Sequence, residues 1–172
     1  MALARLHFMA LAGLSLLTAL WGGLIRLGWP LPLPTSTIPP NHGPLMVTGF
    51  LGTLIGLERA VALRRRWPYG APLLSGLGGL ALLAGFPVPV AHALAAAGSL
   101  FLVAIFVLLY RQQPAAHLGT MGIGALLLFV MGVGPALPWG ASTREELKRR
   151  LLPPLGMGLV ALLMALVYGI RA

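Results

Sequence analysis

The sequence contains no cysteine and no aspartate. The missing thiol rules out both a disulfide framework and a thiolate metal site. Glu58, Glu145 and Glu146 are the only acids. There is thus no paired-carboxylate constellation, no Ser-His-Asp set and no phosphate loop. Hydrolytic and phosphoryl-transfer chemistry have no machinery here. Charge of either sign is scarce. Only 9% of the 172 residues are charged, against about 25% in an ordinary soluble domain.

What is present is apolar. Hydrophobic residues make up 58% of the chain and the mean hydropathy is +0.92. The sequence therefore predicts an integral membrane protein whose first partner is the lipid bilayer. The formal charge of +9 comes from Arg and Lys clustered in loops. That balance reads as cytoplasmic loops meeting anionic lipid, with no nucleic-acid partner.

A spanning helix needs about 20 apolar residues. Six runs qualify, at 6–25, 42–63, 71–89, 90–110, 118–138 and 151–170. The first reads as a retained helix and not a signal peptide, because no small-residue cleavage site follows it. Pro87 and Pro89 enforce a break between the third and fourth runs. The stretch 27–41 holds five prolines and reads as a stiff extended loop, with Trp29 suited to the membrane interface. The expected fold is an all-α polytopic membrane protein of about six spans, one transmembrane domain over 1–172.

Arg64, Arg65 and Arg66 after the second run are the strongest cytoplasmic signal. They place both termini on the cytoplasmic side of a plasma (inner) membrane. Arg144, Lys148, Arg149 and Arg150 then fall outside, against the rule. Either that segment is a short interfacial helix, as the capping boxes at Ser142 and Glu145 and at Thr143 and Glu146 suggest, or the fifth run does not fully span.

The histidines suggest an internal repeat. His7, His42, His92 and His117 each lie near the start of an apolar run. His7 and His92 are followed six residues on by Gly13 and Gly98. His42 and His117 are followed by Met46 and Met121, then by Gly49 and Gly124. Three helices per unit would give two inverted halves. His42 and His92 would then start at the outer side, and His7 and His117 at the inner side.

Two histidine pairs at opposite faces is the layout of a two-haem transmembrane b-type cytochrome. Neutral imidazoles on two facing helices can ligate iron from both sides of a porphyrin. His42 with His92 is the favoured axial pair, and His7 with His117 a second site. His42, Met46, Gly49, Thr53 and Gly56 share one helix face. Gly49 there would let a ring approach the backbone. Arg26 outside, and Arg5 or Arg111 inside, could neutralise propionates.

At His42-Gly43-Pro44-Leu45-Met46, then Gly49-Phe50-Leu51, the sequence resembles the second helix of the haem-copper oxidase catalytic subunit and of NnrS membrane proteins. The resemblance covers about 25 of the 172 residues and carries over to His42 alone, implying a ligand of low-spin haem. The stretch 42–85, including Gly52 to Ala60, also resembles longer NnrS-like polytopic proteins. The departures are large. There is no His-His pair and only half of the oxidases' helices, so the chain alone is no haem-copper oxygen reductase.

Other features have simpler readings. Met46 and Met121 could be soft ligands for haem iron or Cu(I), but core packing is the favoured reading. Gly52-x-x-x-Gly56 reads as a helix-packing surface. Glu58 lies about 24 Å along the second helix from His42. It is the candidate proton or cation relay, though an ion pair with an arginine is favoured: Arg59 is adjacent but faces elsewhere, while Arg65, seven residues on, returns to the face of Glu58.

The functional expectation is a membrane haem b protein in electron transfer or in haem or gas sensing. A quinol or respiratory-chain partner is expected, and a homodimer could complete a twelve-helix arrangement. The alternatives are a small transporter or channel for copper or another cation, and a respiratory assembly subunit.

Overall fold

A computed structural model describes residues 2–133 of the chain. All of them fall in one contact unit, Met1–Ala136. The single-domain reading of 1–172, the sixth run, the end of the fifth and the basic cluster at 144–150 reach beyond the described residues. Within them the chain is all-helical, with no strand.

Five helices form an antiparallel bundle. We number them α1 (Ala2–Arg26), α2 (Pro39–Leu63), α3 (Gly70–Leu83), α4 (Val88–Gln112) and α5 (Ala116–Val133). Four of them, α1, α2, α4 and α5, are long and apolar enough to cross a bilayer. The exception is α3. Its 14 residues extend about 21 Å at 1.5 Å per residue, short of a hydrocarbon core of about 30 Å. The third apolar run, expected over 71–89, thus stops at Leu83. Gly85 then turns the chain at φ +75. Pro87 caps α4 and a second proline occupies its first turn, where a missing N–H costs nothing.

Each long helix ends for a local reason. α1 stops where Gly28 takes φ +89 ahead of Pro30. α4 stops at Gln113, which is extended before Pro114. α2 ends at Arg64, at φ +52. A non-glycine residue there costs about 1–2 kcal/mol.

α2 is not uniform. A 3₁₀ turn at Pro39–Asn41 leads into one α turn. A π-helical stretch over Leu45–Gly52 follows, and a regular α-helix over Thr53–Leu63. π turns are rare and usually brief. The widened turn still leaves Gly49, Gly52, Thr53 and Gly56 buried together, so the expected small-residue face is the inward face. Leu51, Leu54 and Glu58 point outward.

The interior is built from small residues. Bilayer lipid is as apolar as leucine, so helices associate by close packing rather than by expelling water. α3 supplies the centre, burying Ala71, Pro72, Ser75, Gly76, Gly78, Gly79, Ala81 and Leu82. A Cβ on Gly78 would lie 2.9 Å from the Ala91 carbonyl of α4. One on Gly56 would lie 3.0 Å from the Pro72 nitrogen. Larger residues such as Leu17, Leu100, Leu126 and Val130 face outward.

Antiparallel packing gives the bundle two unlike ends. The loop end carries residues 27–41 and the turn at 84–87. The arginine end carries Arg5, Arg59, Arg64, Arg65, Arg66 and Arg111. Among the described residues, Arg26 is the one basic residue at the loop end.

Candidate functional site

The chemistry-bearing residues at the loop end are His42 and His92. Their surroundings differ. His42 opens α2 behind a segment that is tied down on both sides. Thr37 Oγ1 donates to the Leu82 carbonyl of α3 at 3.0 Å, and Asn41 Nδ2 donates to the Thr37 carbonyl at 2.8 Å. Ile38 is buried against Gly22 of α1, where a Cβ would come within 2.9 Å of Ile38 Cγ2. His42 is thereby pressed onto α1. Its ring Cδ2 lies 3.8 Å from the position of a Cβ on Gly23.

The His42 Nδ1 lies 2.9 Å from the Pro39 carbonyl oxygen. A carbonyl only accepts, so in this bond Nδ1 carries the proton and donates. That leaves the lone pair on Nε2. A backbone carbonyl holding one imidazole nitrogen is the usual support of a metal-ligating histidine. Arg26 follows Gly22 by four residues, on the same face of α1 and one turn nearer the loop.

His92 lies in the first turns of α4 and faces α5. It lines a half-open apolar cavity of about 290 Å³, with Ala96, Phe129 and Gly132 among its walls and the outward-facing Leu100 at its rim. Apart from the imidazole the lining is nearly all apolar. His92 Nε2 is buried with no hydrogen-bond partner among the described residues. A buried nitrogen without a partner costs about 1–3 kcal/mol. Such an orphan facing an apolar cavity marks a place where a ligand atom could sit.

His42 is not among the residues lining this cavity. The two imidazoles share one end of the bundle, but one faces α1 and the other α5. His7 and His117 are exposed at the arginine end, on α1 and α5. Met46 packs beside the cluster of Leu45, Ala81, Leu82 and Ala91, and Met121 beside that of Ile105, Phe106 and Leu118. Both methionines fill apolar core. Gly49 is taken up by helix packing, with Ser15 and Gly79 against it. Among the described residues no three His, Asp or Glu side chains gather into a metal-ion group.

Glu58 lies on the outer face of α2 and is 67% exposed, 3.8 Å from Arg59. The favoured ion pair is therefore present, with the neighbouring arginine and not with Arg65.

The family described as a domain of unknown function, DUF8744, matches residues 5–143. The chain belongs to the DUF8744 family. No curated protein matches it, and no solved structure does. The matched region of this DUF8744 chain spans all four histidines, Arg26 and Glu58.

Sequence reading did not find the DUF8744 cavity. Its signal was there: His92, Ala96 and Leu100 recur every four residues with Ala93 and Ala97 beside them. That is one helix face with an imidazole at its end and small side chains below it. Phe129 and Gly132 sit on another helix, so their share of the cavity was not legible.

Proposed function

We propose that this chain is a membrane haem protein of the b-type cytochrome kind. It would act in electron transfer or in haem or gas sensing. The observation that carries this reading is the buried, unpartnered Nε2 of His92 on the wall of an apolar cavity. Imidazole nitrogen is the commonest protein ligand of b-type haem. The lining offers an imidazole and small residues that could admit a flat ring; Arg26, on α1, shares that end of the bundle but does not line the cavity. Haem bound there would supply a one-electron centre or a gas ligand site. The residues of this chain would ligate it, keep water away and set its axial field.

His92 would hold the iron in this reading; His42 shares its end of the bundle but faces α1 and lines no part of the cavity, so it would have to turn toward α4 to serve as a second ligand. The hydrogen bond from His42 Nδ1 to Pro39 supports a ligating Nε2. The second pair, His7 with His117, finds less support, because both are exposed. A quinol or a respiratory-chain protein would be the redox partner.

The charge asymmetry supports an orientation. Six arginines stand at one end and Arg26 alone at the other among the described residues. By the positive-inside rule the arginine end, with the N-terminus, is cytoplasmic in a plasma membrane. The six-span, inverted-repeat arrangement rests on the run 151–170 and on α3 crossing with its flanking turns.

An absorption spectrum of the detergent-purified protein tests the reading. A Soret band with sharp reduced α and β bands is expected, lost in His92→Ala. If His42 turns to hold the same iron, His42→Ala should convert low-spin haem to high-spin. A colourless protein from haem-replete cells overturns the proposal. Transport assays on Glu58→Gln would then address the transporter alternative, which the outward position of Glu58 does little to favour.

A further inference from the structure

We propose that the arginine end carries a binding site for an anionic phospholipid. Its phosphodiester would sit on Arg59, where α2 packs on Phe106 of α4. This inference is independent of the haem reading.

Arg59 lies on a half-buried stripe of α2 with Ile55 and Leu63. That stripe packs on the apolar cluster of Leu102, Ile105, Phe106 and Leu118. The guanidinium carbon stands 5.9 Å from the centroid of the Phe106 ring. The side chain is only 26% exposed. Its Nε is buried and has no hydrogen-bond partner among the described residues. The Glu58 carboxylate, at 3.8 Å, is too far for a hydrogen bond. It also lies on the outer face of the helix. A partly desolvated cation with five donors thus has one loose, exposed counter-charge among the described residues.

Depth and surroundings indicate what would complete it. Arg59 is four residues from the end of α2 at Leu63. That is about 6 Å along the axis, within snorkelling reach of the headgroups. Arg64, Arg65 and Arg66 follow, all exposed. Trp67 is exposed as well and packs on Phe101, with ring centroids 6.5 Å apart. A tryptophan beside arginines marks the level where headgroups meet acyl chains. Glu58 is the sole acid among the described residues, against six arginines at this end. Ile55 and Leu63, half-buried one turn to either side of Arg59, suit an acyl chain and would repel a free hydrated phosphate. A half-buried arginine between helices, flanked by apolar side chains and by further arginines at the cytoplasmic side, is the expected form of an anionic-lipid site.

The experiment places the full-length protein in nanodiscs of equal phosphatidylcholine and phosphatidylglycerol. Native mass spectrometry then counts retained lipid. The wild type is expected to retain phosphatidylglycerol several-fold over phosphatidylcholine. Arg59→Gln should lose most of that preference. Arg65→Gln removes the same charge from an exposed loop and should lose little. Equal retention of the two lipids by the wild type overturns the proposal. So does an equal loss in Arg65→Gln, which would mean diffuse surface charge only. Displacement of the lipid by inorganic phosphate at millimolar concentration also overturns it, because the site would then be a free-anion site. If Arg59→Gln does not fold, Arg59→Lys keeps the charge and removes the planar fork. It should weaken the preference, and an unchanged preference contradicts the assignment to Arg59.

Discussion

Gly49 of α2 and Gly79 of α3 stand so close that a Cβ on Gly79 would lie 3.3 Å from the Gly49 Cα. It would also lie 2.6 Å from Ser15 Oγ on α1. Three helices converge at this point with no room for a side chain. Gly79→Val should therefore destabilise the bundle by about 1–3 kcal/mol, the usual cost of overpacking. Gly124→Ala is the contrast, since a Cβ there meets nothing within 4 Å. It should be neutral, or stabilising by up to about 1 kcal/mol through helix propensity. Thermal unfolding in detergent, followed by circular dichroism, reads both. Equal stability of the two variants would refute this account of the core.

The segment before His42 is held by one long-range hydrogen bond, from Thr37 Oγ1 to the Leu82 carbonyl. Thr37→Val keeps the shape and removes the donor. It should cost about 1 kcal/mol, while Thr37→Ser should cost less. If His42 ligates haem, Thr37→Val should also broaden the spectrum, because the carbonyl that orients the imidazole belongs to the same segment. Unchanged stability in Thr37→Val would show that the bond contributes nothing.

Because the sequence has no cysteine, any introduced thiol is unique. Ser36 lies in the loop at one end and Gln113 in the turn at the other, both exposed. Ser36→Cys should react with a membrane-impermeant maleimide in intact cells. Gln113→Cys should react only after permeabilisation. The opposite pattern would invert the orientation inferred from the arginines.

Haem stoichiometry separates one site from two. The pyridine haemochrome assay should give one haem per chain. His7→Ala and His117→Ala should leave the spectrum unchanged, since both side chains are exposed at the arginine end. Two haems per chain, with one lost in His117→Ala, would restore the symmetric two-site layout that the sequence suggests.

Much of this was written in local sequence. Long apolar runs make helices in lipid because each backbone polar group must find its partner within its own segment. Pro87, Pro89 and Pro114 mark breaks by chemistry confined to one or two residues. The arginine runs mark the ends. The inward face of α2 was legible because Gly49, Thr53 and Gly56 recur at helical spacing.

Other features depend on residues far apart in the chain. Hydropathy counts α3 as a full apolar run, yet the helix is cut to Gly70–Leu83 and buried by α1, α2 and α4. The repeat pattern treats His42 and His92 as equivalent. Their neighbours separate them: Gly22 and Gly23 receive one, while Phe129 and Gly132 frame the cavity of the other. The neighbouring residues Glu58 and Arg59 differ in burial, one on the outer face and one over Phe106, while their charges stay 3.8 Å apart. Helix periodicity assigns a residue to a face. Which helix stands against that face is set by how small residues on several segments pack together, and that lies beyond the reach of any local pattern.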